Sequence, residues 1–153
     1  MKHRVLFVCK TNGLQSPMAE ALLNRADSEH FDVMSAGIDP EETHPLMVDV
    51  MKEIDVDLKG KVAKSVRDFL DRRFDFVITL CDRARFECPK FQEAELVHWQ
   101  FEDPLTATDY KYQKRMVRSL RDQIAQRVRL FALVQVRFAI VEERLHRESV
   151  FSA

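Results

Sequence analysis

Val5-Leu6-Phe7-Val8-Cys9-Lys10-Thr11-Asn12-Gly13-Leu14-Gln15-Ser16-Pro17, continued by Met18-Ala19-Glu20-Ala21-Leu22-Leu23, is the stretch that decides the fold. Its apolar opening has the length and composition of a strand buried on both faces. From Met18 to about Ser28, apolar Ala19, Leu22, Leu23 and Ala26 recur at helical spacing. A short polar loop joins the two, with Ser16 suited to cap the helix and Pro17 to open it. A strand therefore carries the Cys9 thiol to a loop that runs straight into a helix N-terminus. Successive backbone N–H groups of such a loop converge, and the helix dipole adds positive potential. The spot suits an oxyanion and favours the thiolate. Asn12 tolerates the left-handed backbone that turns these N–H groups inward, and Gly13 is equally permissive. The expected chemistry is attack by sulfur on a bound, phosphate-like anion.

Working outward, Phe31 to Ser35 reads as a second strand ended by Ala36-Gly37, and His44-Pro45 opens a helix with Leu46, Val50, Met51 and Ile54 as its apolar positions. Phe74 to Leu80 is a third strand, delivering Cys81-Asp82, and Leu96 to Trp99 a fourth. Alternation of this kind predicts the α/β class: a doubly wound, open parallel sheet with helices on both faces and an extended C-terminal helix. Ligands of such sheets bind beyond the carboxyl ends of the strands. Cys9, Cys81 and Asp103 all follow predicted strand ends, so they are expected on one rim.

The chain has 153 residues, 46% of them hydrophobic, which suits one core. A formal net charge of -1 argues against nucleic acid or an anionic membrane as a partner. The N-terminal segment lacks a signal-peptide pattern and no run is long enough to span a bilayer, so a cytoplasmic location is expected. Three cysteines cannot form a closed set of disulfides, and a reducing compartment keeps them as thiols. Cys81 and Cys88 lack the ligand spacing of a zinc site, so no metal is expected.

The segment from Val5 to Leu22 resembles the active-site loop of the low-molecular-weight protein tyrosine phosphatases and of the thioredoxin-coupled arsenate reductases related to them. Their pattern is a cysteine, five residues, an arginine, then serine or threonine. Cys9, Asn12 and Ser16 match it, and Met18-Ala19-Glu20 matches the start of the next helix. Gln15 stands where that family has arginine. An amide offers two N–H donors, without the charged fork that grips two oxygens of an anion. Lys10 adds charge within the loop, whose members are Lys10, Thr11, Asn12, Gly13, Leu14 and Gln15.

Trp99-x-Phe101-x-Asp103-Pro104 resembles the reductase branch more than the phosphatase branch, and Cys81 and Cys88 match its extra cysteine positions. The resemblance implies that Cys9 is the nucleophile and Ser16 stabilises its thiolate. Asp103 would act as general acid in a phosphatase, or manage cysteine protons in a reductase. It further implies a relay in which a Cys9–Cys81 disulfide passes to Cys81–Cys88 and then to thioredoxin, with arsenate as substrate and no cofactor. The polar Asp82 to Arg85 stretch would supply the mobility this needs. The rival readings are a phosphatase working through phosphocysteine, with phosphate or phosphotyrosine as substrate, and an oxyanion- or partner-binding module.

Some reductases of this family hold a cation through residues matching Asn12, Glu20 and Ser35. The fourth position is occupied here by Lys64, whose ammonium is expected to replace the cation by pairing with Glu20. The resemblance covers about residues 1–131, leaving 132–153 as a C-terminal helical extension. From Asp109 to His146 the pattern is helical without Gly or Pro, and from Leu130 to Val141 it is apolar almost all round. That surface is expected to be an interface, in a homodimer or with a docking partner.

Overall fold

The structure is a computed structural model that describes residues 1–152. Four strands, β1 (His3–Cys9), β2 (Phe31–Gly37), β3 (Phe76–Thr79) and β4 (Glu95–His98), form one sheet in the order β2-β1-β3-β4. Every neighbouring pair is parallel. The helices are α1 (Gln15–Asp27), α2 (Pro45–Lys52), α3 (Asp82–Glu87) and α4 (Tyr110–Phe151), with 3-10 turns at Val66–Phe69 and Pro104–Thr106. The α/β class and doubly wound sheet expected from the alternation are present. Among the described residues no helix is long and apolar enough to cross a membrane.

The sheet follows from β1, whose side chains alternate between two cores as a strand buried on both faces must. Val5, Phe7 and Cys9 face a larger cluster built with α1, α2 and α4, where Met18, Leu23, Leu46, Met51 and Ile124 are fully buried. Leu6 and Val8 face a smaller one with Val66 and Phe69 of the first 3-10 turn, Phe74 just before β3 and Ala84 of α3. Burial of a side chain of this size contributes roughly 1.5–3 kcal/mol, so the two faces clamp β1 as the most stable strand. The chain leaves β1 towards β2 on one side and returns to β3 on the other. Cys9 stands at that reversal of strand order, where open sheets leave a crevice.

The third strand is shorter than its apolar run suggests. Phe74 packs in the smaller core, and Asp75 ties the strand's entry to β1 twice, its carboxylate accepting the Arg4 N–H at 2.7 Å and its own N–H donating to the Arg4 carbonyl at 2.8 Å. The last helix starts at Tyr110, where the Asp109 carboxylate caps the Lys111 and Tyr112 N–H groups. It runs unbroken through residues 131 and 132, with Ala132 still in the larger core.

Glu53, just past α2, ties α2 to α4. Its carboxylate accepts hydrogen bonds from Arg118 Nε (2.8 Å) and Nη2 (2.7 Å) and from Arg121 Nη1 (2.9 Å), while the buried Arg121 also donates to the Val50 carbonyl. The Arg118 hydrogen bond, helped by that of Arg121 and by both charges, lowers the Glu53 carboxyl from 4.5 to about 2 against the opposing effect of burial. Because the folded-state value is depressed, its stabilisation is complete above about pH 4.5 and is lost as pH falls through about 2. Glu53→Gln should cost about 1–2 kcal/mol at pH 7, allowing for solvent screening of a partly exposed pair. Urea melts should show the gap to wild type closing below pH 4.

Candidate active site

The loop after β1 is held from outside. Ile38, Asp39, Glu41 and His44 donate backbone N–H groups to the carbonyls of Cys9 (3.1 Å), Lys10 (2.8 Å), Thr11 (3.0 Å) and Gly13 (2.9 Å). With its carbonyls turned outward to the β2–α2 connection, the loop presents N–H groups to its interior. Asn12, completely buried at φ 57°, makes the turn. Its N–H reaches Cys9 Sγ at 3.3 Å. Gly13 needs no left-handed backbone; a side chain there would crowd the Glu42 carbonyl, 2.8 Å from the Cβ position.

Ser16 departs from its expected role as helix cap. The helix begins at Gln15 with Leu14 in the cap position and no side-chain cap at all. The Ser16 hydroxyl lies 3.0 Å from Cys9 Sγ and accepts from Asn12 Nδ2 at 2.8 Å. A hydroxyl and a backbone N–H thus converge on a sulfur that is 2% exposed. First-turn N–H groups without a cap remain for an anion.

Behind the loop a second set of bonds runs inward. Asn12 Nδ2 donates to Ser35 Oγ (2.9 Å), Ser35 Oγ donates to Glu20 Oε2 (3.3 Å), and Asn12 Oδ1 accepts the Lys64 N–H (2.9 Å). The ammonium expected at Glu20 is not that of Lys64. Lys61 pairs with Glu20, whereas Lys64 contributes its backbone here and sends its side chain over the Phe69 ring. Burial, followed by repulsion from Lys64, lowers the Lys61 ammonium to about 8. The Lys61 contribution was missed because the segment between α2 and the first 3-10 turn carries no periodicity that says which lysine turns inward.

Gly37 is a further residue that sequence reading passed over. It pairs with Cys9 across the β1–β2 ladder, and a Cβ there would come within 2.5 Å of the Thr11 carbonyl carbon and 2.6 Å of the Asn12 nitrogen. Both are backbone atoms of the loop, so the loop itself would have to move. Gly37→Ala should cost roughly 1–3 kcal/mol as an overpacking change. It should also slow alkylation of Cys9 by iodoacetamide, a rate that a remote destabilisation would leave alone.

The loop forms the floor of a cleft of about 490 Å³ whose walls include Gln15, Cys81, Arg83, Phe101 and Asp103. Cys9, Cys81 and Asp103 share it, whereas Cys88 lies outside its lining. The wall formed by Phe101 and Asp103 follows β4: Thr79 Oγ1 and Gln100 Oε1 each lie 2.8 Å from a ring nitrogen of His98, and Trp99 is buried against Phe7. Asp103 Oδ1 accepts the Leu105 N–H at 2.9 Å, fixing the carboxylate at the rim. Five acids line the cleft, Glu41, Glu42, Asp82, Glu102 and Asp103, against Lys10 and Arg83. Arg83 is itself paired with Asp39 and Glu87.

Asp82 to Arg85 is not a loose linker. It forms most of α3, with Cys81 as N-cap, its sulfur accepting the Ala84 N–H at 3.4 Å, and Cys88 as C-cap. Burial pushes the Cys81 thiol up, with the nearby Cys9 adding to the rise and the N–H groups of Ala84, Lys10 and Arg83 opposing it. Burial alone pushes Cys88 to about 11. Seven residues of helix rise about 10 Å, while a disulfide needs α-carbons within about 7 Å, so these two thiols cannot bond while α3 is wound.

A strand-delivered cysteine, a loop with inward N–H groups and a helix start are matched along the chain by the family model "Low molecular weight phosphotyrosine protein phosphatase", over residues 4–148. The chain belongs to this family. Arsenate reductases of Oceanobacillus iheyensis and Halalkalibacterium halodurans are 33% and 35% identical to it over 133 residues, covering 86% of this chain and 96% of each relative. A solved arsenate reductase in a phosphate-binding state superposes with a TM-score of 0.72 at 29% identity, over 86% of this chain and 96% of the other. A thioredoxin-dependent arsenate reductase of Corynebacterium glutamicum gives 0.68 at 28% identity, over 88% of this chain and 63% of that one.

Proposed function

We propose that this member of the family reduces arsenate with electrons drawn from its own thiols. The observation carrying this reading is that Cys9 and Cys81 line one cleft while Cys88 waits at the far end of α3. Similarity to arsenate reductases over most of both chains supports it. The Cys9 thiolate attacks arsenate, and an arsenate oxygen leaves as water to give a sulfur–arsenic(V) ester. Cys81, losing its proton, attacks Cys9 sulfur; the sulfur–arsenic bond breaks, its electron pair reduces arsenic to the trivalent state, and arsenite departs. Cys88 then attacks Cys81, releasing the Cys9 thiolate and leaving a Cys81–Cys88 disulfide. A thioredoxin-type dithiol reduces that bond. No metal or organic cofactor enters these steps.

The last exchange requires α3 to unwind. This helix is short, Ala84 is its buried residue and Phe86 is 78% exposed, so little tertiary packing resists opening. Opening also returns Cys88 from about 11 towards the ordinary thiol value of about 8.5, raising its thiolate fraction just when it must attack. Turnover should therefore rise between pH 7 and 9.

The test is arsenate-dependent oxidation of reduced thioredoxin. Wild type should turn over continuously, whereas Cys88→Ser should release one arsenite per chain and stop as the Cys9–Cys81 disulfide. Hydrolysis of an aryl phosphate without arsenate reduction would favour the phosphatase reading, with Asp103 as the acid. Anion binding with neither turnover would leave a binding module.

A further inference from the structure

The unused feature of the fold is the free end of α4. Its first half packs on the sheet through Val117, Leu120, Ile124 and Val128, and Phe131 closes the core against Phe31, Phe76 and Trp99. The same alternation of three and four residues then continues off the domain through Val134, Phe138, Val141 and Leu145, all 48–62% exposed. Continued 3-4 spacing is the pattern of a coiled-coil seam, with Phe138 and Leu145 at a and Val134 and Val141 at d.

We propose that this seam pairs with the same segment of a second copy of the chain, as a parallel two-stranded coil. Charge decides both partner and direction. Arg137 and Arg144 fall at g, on one side of the seam, and Glu142 at e, on the other. In a parallel pair each Arg137 meets the other copy's Glu142, and the contact occurs twice by symmetry. In an antiparallel pair the basic sides would face each other. Arg147 and Glu143, which do pair within the chain, lie away from the seam.

The parallel arrangement also leaves room for two domains. A straight helix drifts about 20° per heptad against a seven-residue repeat. The free seam, three heptads on, is thereby turned about 60° from the face that Val117 and Leu120 present to the sheet. The two-fold symmetry of such a pair carries the two domains to opposite sides of the coil.

Sedimentation equilibrium of the full chain from micromolar to millimolar concentration tests this. Wild type should dimerise, with a melting temperature that rises with concentration, and Phe138→Glu should be a monomer that still melts cooperatively at a concentration-independent temperature; Val141→Glu provides an independent break of the seam. Arg137→Glu and Glu142→Arg should each weaken association roughly three- to tenfold, as two symmetry-related exposed pairs would, and the double exchange should restore it. A monomer at every concentration, a dimer that survives both seam breaks, or tighter association on Arg137→Glu would overturn the proposal.

Discussion

Cys9→Ser should lower turnover by at least about four orders of magnitude, whichever oxyanion is supplied, because it removes the atom that forms the covalent bond. The exchange is close to isosteric and the site is fully enclosed by β1, α1 and the loop, so folding should be retained. A serine hydroxyl would still meet the Asn12 N–H and Ser16, but two donors cannot make an alcohol as acidic as a thiol. Mass spectrometry after a single exposure to arsenate should show the Cys81–Cys88 disulfide in wild type, the Cys9–Cys81 disulfide in Cys88→Ser, and neither in Cys9→Ser. Cys81→Ser separates the steps: it should leave the first adduct on Cys9 and block arsenite release. Undiminished turnover by Cys9→Ser would remove the basis for this chemistry altogether.

Gln15→Arg should raise kcat/KM for arsenate by about two to three orders of magnitude, the value of one well-placed charged donor at an oxyanion. Gln15 is the first residue of α1 and lines the cleft, so an arginine at this point would direct its fork at the anion position. The surrounding charge makes the gain large. Lys10 is the cation on the loop itself, Arg83 is engaged by Asp39 and Glu87, and five acidic residues line the same cleft. In wild type the anion must be held mostly by backbone N–H groups against a repulsive rim. Weak anion binding that improves as salt screens that rim is the corresponding expectation. Steady-state kinetics with arsenate, at two ionic strengths, check both; an unchanged kcat/KM in Gln15→Arg would mean that the anion does not sit against the start of α1.

The two variants probe parts of the site with different legibility. Cys9, its loop and α1 form one continuous stretch, and strand, turn and helix signals within it refer to each other at short range. The same holds for the long last helix, expected from Asp109 to His146 and found from Tyr110 to Phe151. Residue type marks Ser16 as a helix-start residue and the family resemblance marks it as a partner of the sulfur; what aims it there is Asn12, which is itself held by Ser35 and the Lys64 backbone. Gly37 reads in the chain as the end of a strand. Its lack of a side chain acquires meaning only from the Thr11 and Asn12 backbone lying against it.

What the sequence by itself determined is therefore the set of local elements and their chemistry: a buried strand ending in a thiol, an anion-suited turn, the parallel α/β plan, and two further cysteines near a strand end. Only the tertiary structure decided that Lys61 rather than Lys64 meets Glu20, that the link between Cys81 and Cys88 is a wound helix, and that Cys88 stands outside the cleft. Periodicity and capping act over a few residues and leave a pattern in the chain. Choosing between two lysines, or between coil and helix for a six-residue segment, depends on contacts from distant segments worth about as much as the local preferences they override.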